Sequence, residues 1–117
     1  MKKTLKLERF KLEEGDPKTV TLVTLSGEEE ILASDRAWAG AGGQTTPARI
    51  EEEYIAQAIV EVDGQPVMPP FVPWKKWSGR CRDFVRAAFH RMGSASPKDL
   101  KDFLAAEFGE GELGKQP

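Results

Sequence analysis

The chain has 117 residues, with 17 basic and 19 acidic side chains and a formal net charge of −2. This length suits one domain, and we predict a single domain over residues 1–109 with a disordered tail over 110–117. The one cysteine excludes an internal disulfide framework, and no apolar run approaches the ~20 residues of a membrane helix. Met1-Lys2-Lys3 leads into charged sequence and not an apolar signal core, so we expect an untargeted, cytoplasmic protein.

Two segments near the N-terminus have the composition of β-strands. They cover residues 4–12 and 19–25, and the segment between them contains the glycine and proline of a turn. We therefore predict an antiparallel hairpin. The apolar alternation in the first strand is imperfect, because Leu5 and Leu7 share one face while Phe10 falls on the other. A bulge, or burial of both faces, would explain this pattern.

A capping box marks the start of the first predicted helix. Ser26 has the cap position and Glu29 follows three residues later, so each side chain can bond the amide of the other residue. We predict a helix over residues 27–38. Its predicted buried side chains are Ile31, Leu32 and Trp38. Three glycines in residues 39–45 carry a large ordering cost, and we expect a mobile loop there.

A second helix and a small hairpin are predicted next. Thr46 has the position of an N-cap, and Pro47 is the first helical residue. The three carboxylates of residues 51–53 point in different directions on this helix, and we expect a solvated outward face without a metal or acid–base role. The pattern changes near Ile59 to strand, turn and strand, with an Asp-Gly turn at residues 63–64.

The stretch from residue 73 to residue 108 has the two strongest helix signatures. Its first helix follows the N-cap Ser78 and has one apolar stripe that must be buried. The stripe comprises Trp77, Cys81, Phe84, Val85, Ala88 and Met92. The second helix starts under Ser96 with Pro97 at its first position, and we expect it to pack on the first helix as a hairpin around one core. Its apolar residues are Leu100, Phe103, Leu104 and Phe108.

These elements together predict an α+β fold that is mainly helical. It has three to four helices, an N-terminal antiparallel hairpin and a small central Asp-Gly hairpin. No catalytic constellation is visible, because His90 and Cys81, each the only residue of its type, lie about 180° apart on one helix. Zinc needs around four ligands, and the chain has too few soft ones. We predict no enzyme activity, no cofactor and no metal site.

Basic side chains are concentrated before and within the first of these two helices. Residues 73–92 hold six basic side chains and one acidic side chain, whereas the segment before them is strongly acidic. Arg82, Arg86 and His90 follow one another at four-residue steps opposite the apolar stripe, as in a helix that contacts phosphates. Nucleic-acid binding by the basic helix 75–91 is therefore one hypothesis, although no helix-turn-helix or RNA-binding signature accompanies it. An acidic protein partner or the chain's own glutamates would suit the same arginines.

Two tryptophans lie in the segment that leads into the basic helix. We predict that Trp77 belongs to the core. Trp74 stands beside the prolines of the connector and two lysines, and we expect it to be partly exposed. Exposed tryptophan next to arginine has the composition of a binding hot spot.

Five motifs follow one another along the chain. They are a TVTLVTLSGEEEILAS start, a helix running into AIVEVDGQPV, a W..W segment, a helix RDFVRAAFHRM and a closing helix SPKDLKDFLAA. In this order they resemble the small tail assembly chaperones of tailed bacteriophages, over roughly Val20 to Phe108. The resemblance implies a small, largely helical, non-enzymatic protein of the host cytoplasm. Such a protein keeps the tape-measure protein soluble and helps to recruit tail-tube subunits during virion assembly.

The mechanism that this resemblance implies is physical. An apolar groove would cover the exposed apolar stripe of a client helix, which is helix-in-groove recognition. The residues expected to line the groove are Trp74, Trp77, Phe89, Phe103 and Phe108, with Arg82 and Arg86 orienting the client. The alternative of a structural tail or head–tail joining subunit predicts a ring of copies.

Overall fold

The computed structural model describes residues 1–10, 12–40, 42–93 and 97–109. Within these ranges the chain forms one antiparallel sheet and four α-helices, which confirms the predicted α+β fold. The strands are β1 (Lys2–Lys6), β2 (Thr19–Val23), β3 (Ile59–Val62) and β4 (Gln65–Pro66), in the spatial order β1-β2-β3-β4. The helices are α1 (Gly27–Gly40), α2 (Pro47–Ala58), α3 (Gly79–Gly93) and α4 (Pro97–Phe108). Two short 3₁₀ segments lie at Glu8–Phe10 and Val72–Lys76.

The N-terminal hairpin is confirmed, but its first strand ends earlier than predicted. β1 pairs antiparallel with β2 and stops at Lys6. The buried Leu7 donates its amide to the carbonyl of Lys18 at 2.9 Å, and the amide of Phe10 then bonds the carbonyl of Leu7 at 3.0 Å in a 3₁₀ turn. The break in apolar alternation therefore marks the end of the strand, and the predicted strand over 4–12 is wrong beyond Lys6.

The Asp-Gly hairpin is also confirmed, and it joins the first hairpin in one sheet. Asp63 and Gly64 have φ angles of 52° and 79°, which is the positive-φ pair of a type I′ turn. The Asp63 carboxylate accepts the amides of Lys18 and Thr19 at 2.6 and 3.1 Å. Because β3 pairs with β2, the strand β2 becomes central and is the most buried of the four.

The first helix has the predicted cap but buries a different face. Ser26 and Glu29 form both bonds of the capping box, at 3.0 and 3.2 Å. The side chains that α1 buries are Ala33 and Ala37. Because these small side chains let α1 approach α2 closely, the large apolar side chains of α1 point away from α2. The prediction of buried large side chains is wrong for Ile31, Leu32 and Trp38, which are all exposed.

Trp74 is the largest fully buried side chain of the described residues, so the prediction of partial exposure is wrong. The 3₁₀ segment Val72–Lys76 turns its ring inward, and its Nε1 donates to the carbonyl of Glu52 at 3.2 Å. Trp77 is only partly buried and packs against Phe71, with 5.9 Å between ring centroids.

The third helix buries the predicted stripe. Its N-cap is Ser78, whose Oγ accepts the amide of Cys81 at 3.2 Å. The Asp16 carboxylate accepts hydrogen bonds from both the amide and the hydroxyl of Ser78. Asp16 therefore connects the first hairpin to the start of α3. Cys81 and Val85 are fully buried, and the other members of the stripe pack against them.

The fourth helix does not complete this core. Leu100, Phe103 and Phe108 are 51, 58 and 61% exposed. The predicted packing of this helix around a shared core is therefore wrong, since Trp74 and the stripes of α2 and α3 already cover the sheet. The amide of Gly109, at φ 83°, donates to the carbonyl of Ala105 and ends α4. The predicted Ser96 cap and the predicted 110–117 tail lie outside the described residues.

Candidate functional site

The acidic face of α2 lies against α3. Glu52 receives a 3.0 Å ion pair from Arg82, while Glu51 binds Arg86 at 3.2 Å and His90 at 2.9 Å. All three partners occupy one side of α3 at four-residue steps, which is the spacing seen in the sequence. The predicted solvated face of the glutamates is therefore wrong, because these carboxylates join two helices.

Glu53 forms the most enclosed of these contacts. It is bound by Lys75 at 2.6 Å and by Arg36 at 3.1 Å, and its side chain is 12% exposed. Burial alone raises the pKa of Glu53, but the hydrogen bonds and charges of the two cations outweigh it and hold that pKa below its ordinary value. The carboxylate therefore connects α1, α2 and the 3₁₀ segment before α3.

Arg82 is held on two sides. Its guanidinium pairs with Glu52 and also lies over the buried ring of Trp74, 5.1 Å from the ring centroid. A desolvated guanidinium over an indole is a favourable cation–π contact. Arg82 and Trp74, which were both predicted to bind a partner, therefore contact each other. This contact lies inside the fold, where it positions α3 on α2.

An open apolar cleft lies between the end of β2, the start of α2 and the end of α3. Its volume is about 450 Å³, which is in the range of ligand-binding and anchor pockets. Its apolar lining comprises Val23, Leu25, Pro47, Ile50, Tyr54, Phe89 and Met92. We call this surface the apolar cleft. In the apolar cleft, large apolar side chains surround an unfilled space.

Acidic groups stand in the lining of the apolar cleft. Glu30 of α1 and Glu51 of α2 both line it, together with His90. Glu51 is compensated by Arg86 and His90. The Glu30 carboxylate makes no hydrogen bond or ion pair with any described residue. A ligand for this cleft is therefore expected to be apolar with a cationic flank.

The predicted partner-binding residues do not form one groove. Phe89 lines the apolar cleft, whereas Trp77 packs on Phe71 away from that lining. Phe103 and Phe108 are exposed on α4, which contributes no described residue to the cleft. The assignment of these residues to a partner stays a prediction, and Phe89, Phe103 and Phe108 are the ones whose positions agree with it.

Sequence reasoning missed most of the cleft. The missed residues are Val23, Leu25, Pro47, Ile50, Tyr54 and Met92. One sequence signal was available, because Ile50 and Tyr54 stand four residues apart and therefore lie on the same face of α2. The structure shows that neither residue is among those that α2 buries fully. No sequence signal showed that the end of β2 would lie beside them.

The described residues contain no cluster of three or more histidine, cysteine or carboxylate groups that could hold a metal ion. Burial, with a smaller contribution from the charge of Asp16, raises the pKa of the Cys81 thiol to about 12. A thiol in that state is a poor nucleophile and acts as a small core residue.

No helix in the described part of the chain is long and apolar enough to span a bilayer. Comparison with known proteins identifies no relative: the chain matches no protein-family model, no curated protein and no solved structure.

Proposed function

We propose that this chain is a non-enzymatic assembly chaperone that binds an amphipathic helix of a client protein in the apolar cleft. The client class that the sequence resemblance suggests is the tape-measure protein of a tailed bacteriophage, with tail-tube subunits as further partners. The observation that carries the proposal is the open cleft of about 450 Å³, with its large apolar side chains and a Glu30 that no described residue compensates.

The proposed mechanism is the temporary burial of an apolar stripe. A long helix with exposed leucine and phenylalanine aggregates unless those side chains are covered, and each one that is buried contributes about 1.5–3 kcal/mol. Two or three such anchors contribute roughly 3–9 kcal/mol, and association costs about 4 kcal/mol or more, so we expect a dissociation constant of about 100 µM or weaker. That affinity suits a chaperone, because the client must be released when the tube assembles.

Two further features support a cationic flank on the client. Glu30 stands in the cleft lining without a described partner, and α1 begins with Glu28, Glu29 and Glu30 in its first turn. Lysine or arginine beside the apolar stripe of the client would meet this acidic end. Such pairs contribute mainly to orientation and to the rate of association.

Nucleic-acid binding is the weaker candidate. Arg82 and Arg86, which the sequence offered for phosphate contacts, are engaged by the glutamates of α2. The duplex-DNA hypothesis predicts salt-sensitive retardation in a gel shift. We expect no retardation at low salt.

The test is binding of a fluorescent tape-measure helix to the full chain, measured by anisotropy. Gly93→Trp fills the mouth of the cleft, and a Cβ added at Gly93 would meet no heavy atom within 4 Å. We expect at least about ten-fold weaker binding. Gly79→Trp is the matched control, since Gly79 is equally open in the same helix but outside the cleft. Equal affinities for the two variants would refute the cleft as the client site.

A further inference from the structure

The first strand of the sheet has an open side. The strand order is β1-β2-β3-β4, so β1 has a strand neighbour only in β2 among the described residues. The amide of Leu7 donates to the carbonyl of Lys18 in continuation of the β1–β2 register, so the odd-numbered residues of this strand bond β2. Because the bonds of an antiparallel ladder alternate, the backbone N–H and C=O groups of Lys2, Thr4 and Lys6 point to the open side.

An open space of about 390 Å³ lies along this side of β1, and we call it the β1 pocket. Its apolar walls include Leu5 of β1, Phe10 of the first 3₁₀ segment and Phe84 of α3. The two phenylalanine rings contact each other, with 5.1 Å between ring centroids, and Phe10 is 42% exposed. A strand paired with β1 would direct every second side chain to the face of Leu5 and therefore towards this pocket.

The charged groups among the described residues that line the β1 pocket are all basic. They are Lys3, Lys6 and Arg9, and none of them forms an ion pair with a described residue. The carboxylate of Glu8, although a neighbour in sequence, is not part of the lining. The apolar cleft differs, because the unpaired Glu30 lines it. An occupant of the β1 pocket is therefore expected to be acidic.

Two other occupants fit the β1 pocket less well. Three of the five residues of β1 are lysine, and pairing with β1 of a second copy would set these lysines against each other. Nucleic acid would need free aromatic faces on which bases stack. Phe10 instead packs on Phe84 and lies 5.6 Å from the guanidinium of Arg9, while Arg80 lies 5.5 Å from the ring of Phe84.

We propose that an extended acidic segment of a partner protein binds here by adding a strand to β1. The backbone of this segment pairs with the outward groups of Lys2, Thr4 and Lys6, which is the strand-addition mode of peptide recognition. Its carboxylates meet the basic lining, and one large apolar side chain enters the pocket against Phe10. The inference goes beyond the proposed function and does not rest on it, since the β1 pocket and the apolar cleft share no lining residue.

The test is binding of a fluorescent acidic peptide to the full chain, measured by anisotropy. The peptide has about seven residues, enough to cover β1, and alternates glutamate with valine around a central phenylalanine. Lys6→Glu should weaken binding about ten-fold at low salt, because it reverses a charge in the lining. Lys101→Glu is the matched control, since it makes the same change at an exposed position of α4 outside the pocket. Circular dichroism checks that both variants stay folded.

A second measurement separates strand addition from attraction between charges alone. Amide exchange followed by NMR should show the amides of Thr4 and Lys6 protected only when the peptide is bound, whereas the amide of Leu5 is already protected by β2. N-methylation of every second peptide amide should abolish binding in one register and leave it unchanged in the other, because only alternate amides of the added strand face β1.

Several results would overturn the proposal. They are no peptide binding at about 1 mM, equal affinities for Lys6→Glu and Lys101→Glu, or no added protection of the Thr4 and Lys6 amides. An oligonucleotide of about ten thymidines that displaces the peptide would do the same, since the lining would then bind phosphates. Gly93→Trp, which fills the mouth of the apolar cleft, should bind the acidic peptide with unchanged affinity. Loss of peptide binding in that variant would place the peptide in the cleft, whereas failure of the client-helix experiment would leave the β1 pocket untouched.

Discussion

At the scale of single residues, several charged side chains fix the positions of the helices. Glu53 is the clearest case, because two cations from different segments meet on one carboxylate that is largely withdrawn from water. Removing one member of such a group leaves the others partly buried without compensation. The stability of the fold should therefore depend on this carboxylate, and on its ionisation.

Glu53→Gln should lower the free energy of unfolding by about 1–3 kcal/mol at neutral pH, since an amide cannot compensate Lys75 and Arg36. The pKa of Glu53 is lowered in the folded state from an ordinary value of 4.5, so its contribution is complete above pH 4.5 and is lost as the pH falls through the folded pKa. Urea unfolding across this pH range should show that the free energies of unfolding of the wild type and of Glu53→Gln converge in acid. Glu28→Gln, at an exposed position, is the control. If the difference in the free energy of unfolding between these two proteins stays constant into acid, the stabilising role assigned to the ionised Glu53 is wrong.

At the scale of elements, local signals located the helices but did not determine which face each one buries. The caps at Ser26, Thr46 and Ser78 were predictable because they depend on neighbours three residues away. The burial of α1 depends on α2, and the contact uses alanines because the backbones approach closely. Hydrophobicity alone favoured Ile31 and Trp38, since it contains no information on the distance between two helices.

The α1 contact predicts an unusual order of mutational effects. Ala33→Leu should lower the free energy of unfolding by about 1–3 kcal/mol, because the added atoms have no space between α1 and α2. Leu32→Ala, one residue away on the exposed side, should change it by less than about 0.5 kcal/mol. Thermal melts of the two variants measure both effects. The reverse order would show that the sequence-based choice of the buried face was right.

The candidate site was less predictable than the fold, for a related reason. Phe89 was identified from its helix, but most of the other apolar residues of the cleft come from α2 and from β2 and the residues after it, more than thirty residues away in sequence. Trp74 was assigned to a surface because prolines and lysines flank it. The turn of the 3₁₀ segment and the acceptor at the Glu52 carbonyl, which bury its ring, are tertiary features that composition does not contain.

At the scale of the whole molecule, long-range contacts join distant segments into one core while α4 stands apart. Asp16 holds the N-cap of α3 from 62 residues away, and the glutamates of α2 pair with the basic helix. The segregated charge of the sequence is thus matched within the fold in part, where the basic helix meets the glutamates of α2. The core should consequently open as one unit, and α4 should not belong to that unit.

Cys81 can report this difference, because its thiol is fully buried, has a pKa raised to about 12 and reacts with a thiol reagent only when the core opens. Trp74→Phe removes the indole donor and creates a cavity, so labelling in dilute solution should accelerate by about ten- to hundred-fold. Phe103→Asp should leave the rate within about two-fold, since α4 adds nothing to the core. Labelling followed by mass spectrometry measures both rates. Comparable acceleration by the two variants would mean that α4 contributes to the core.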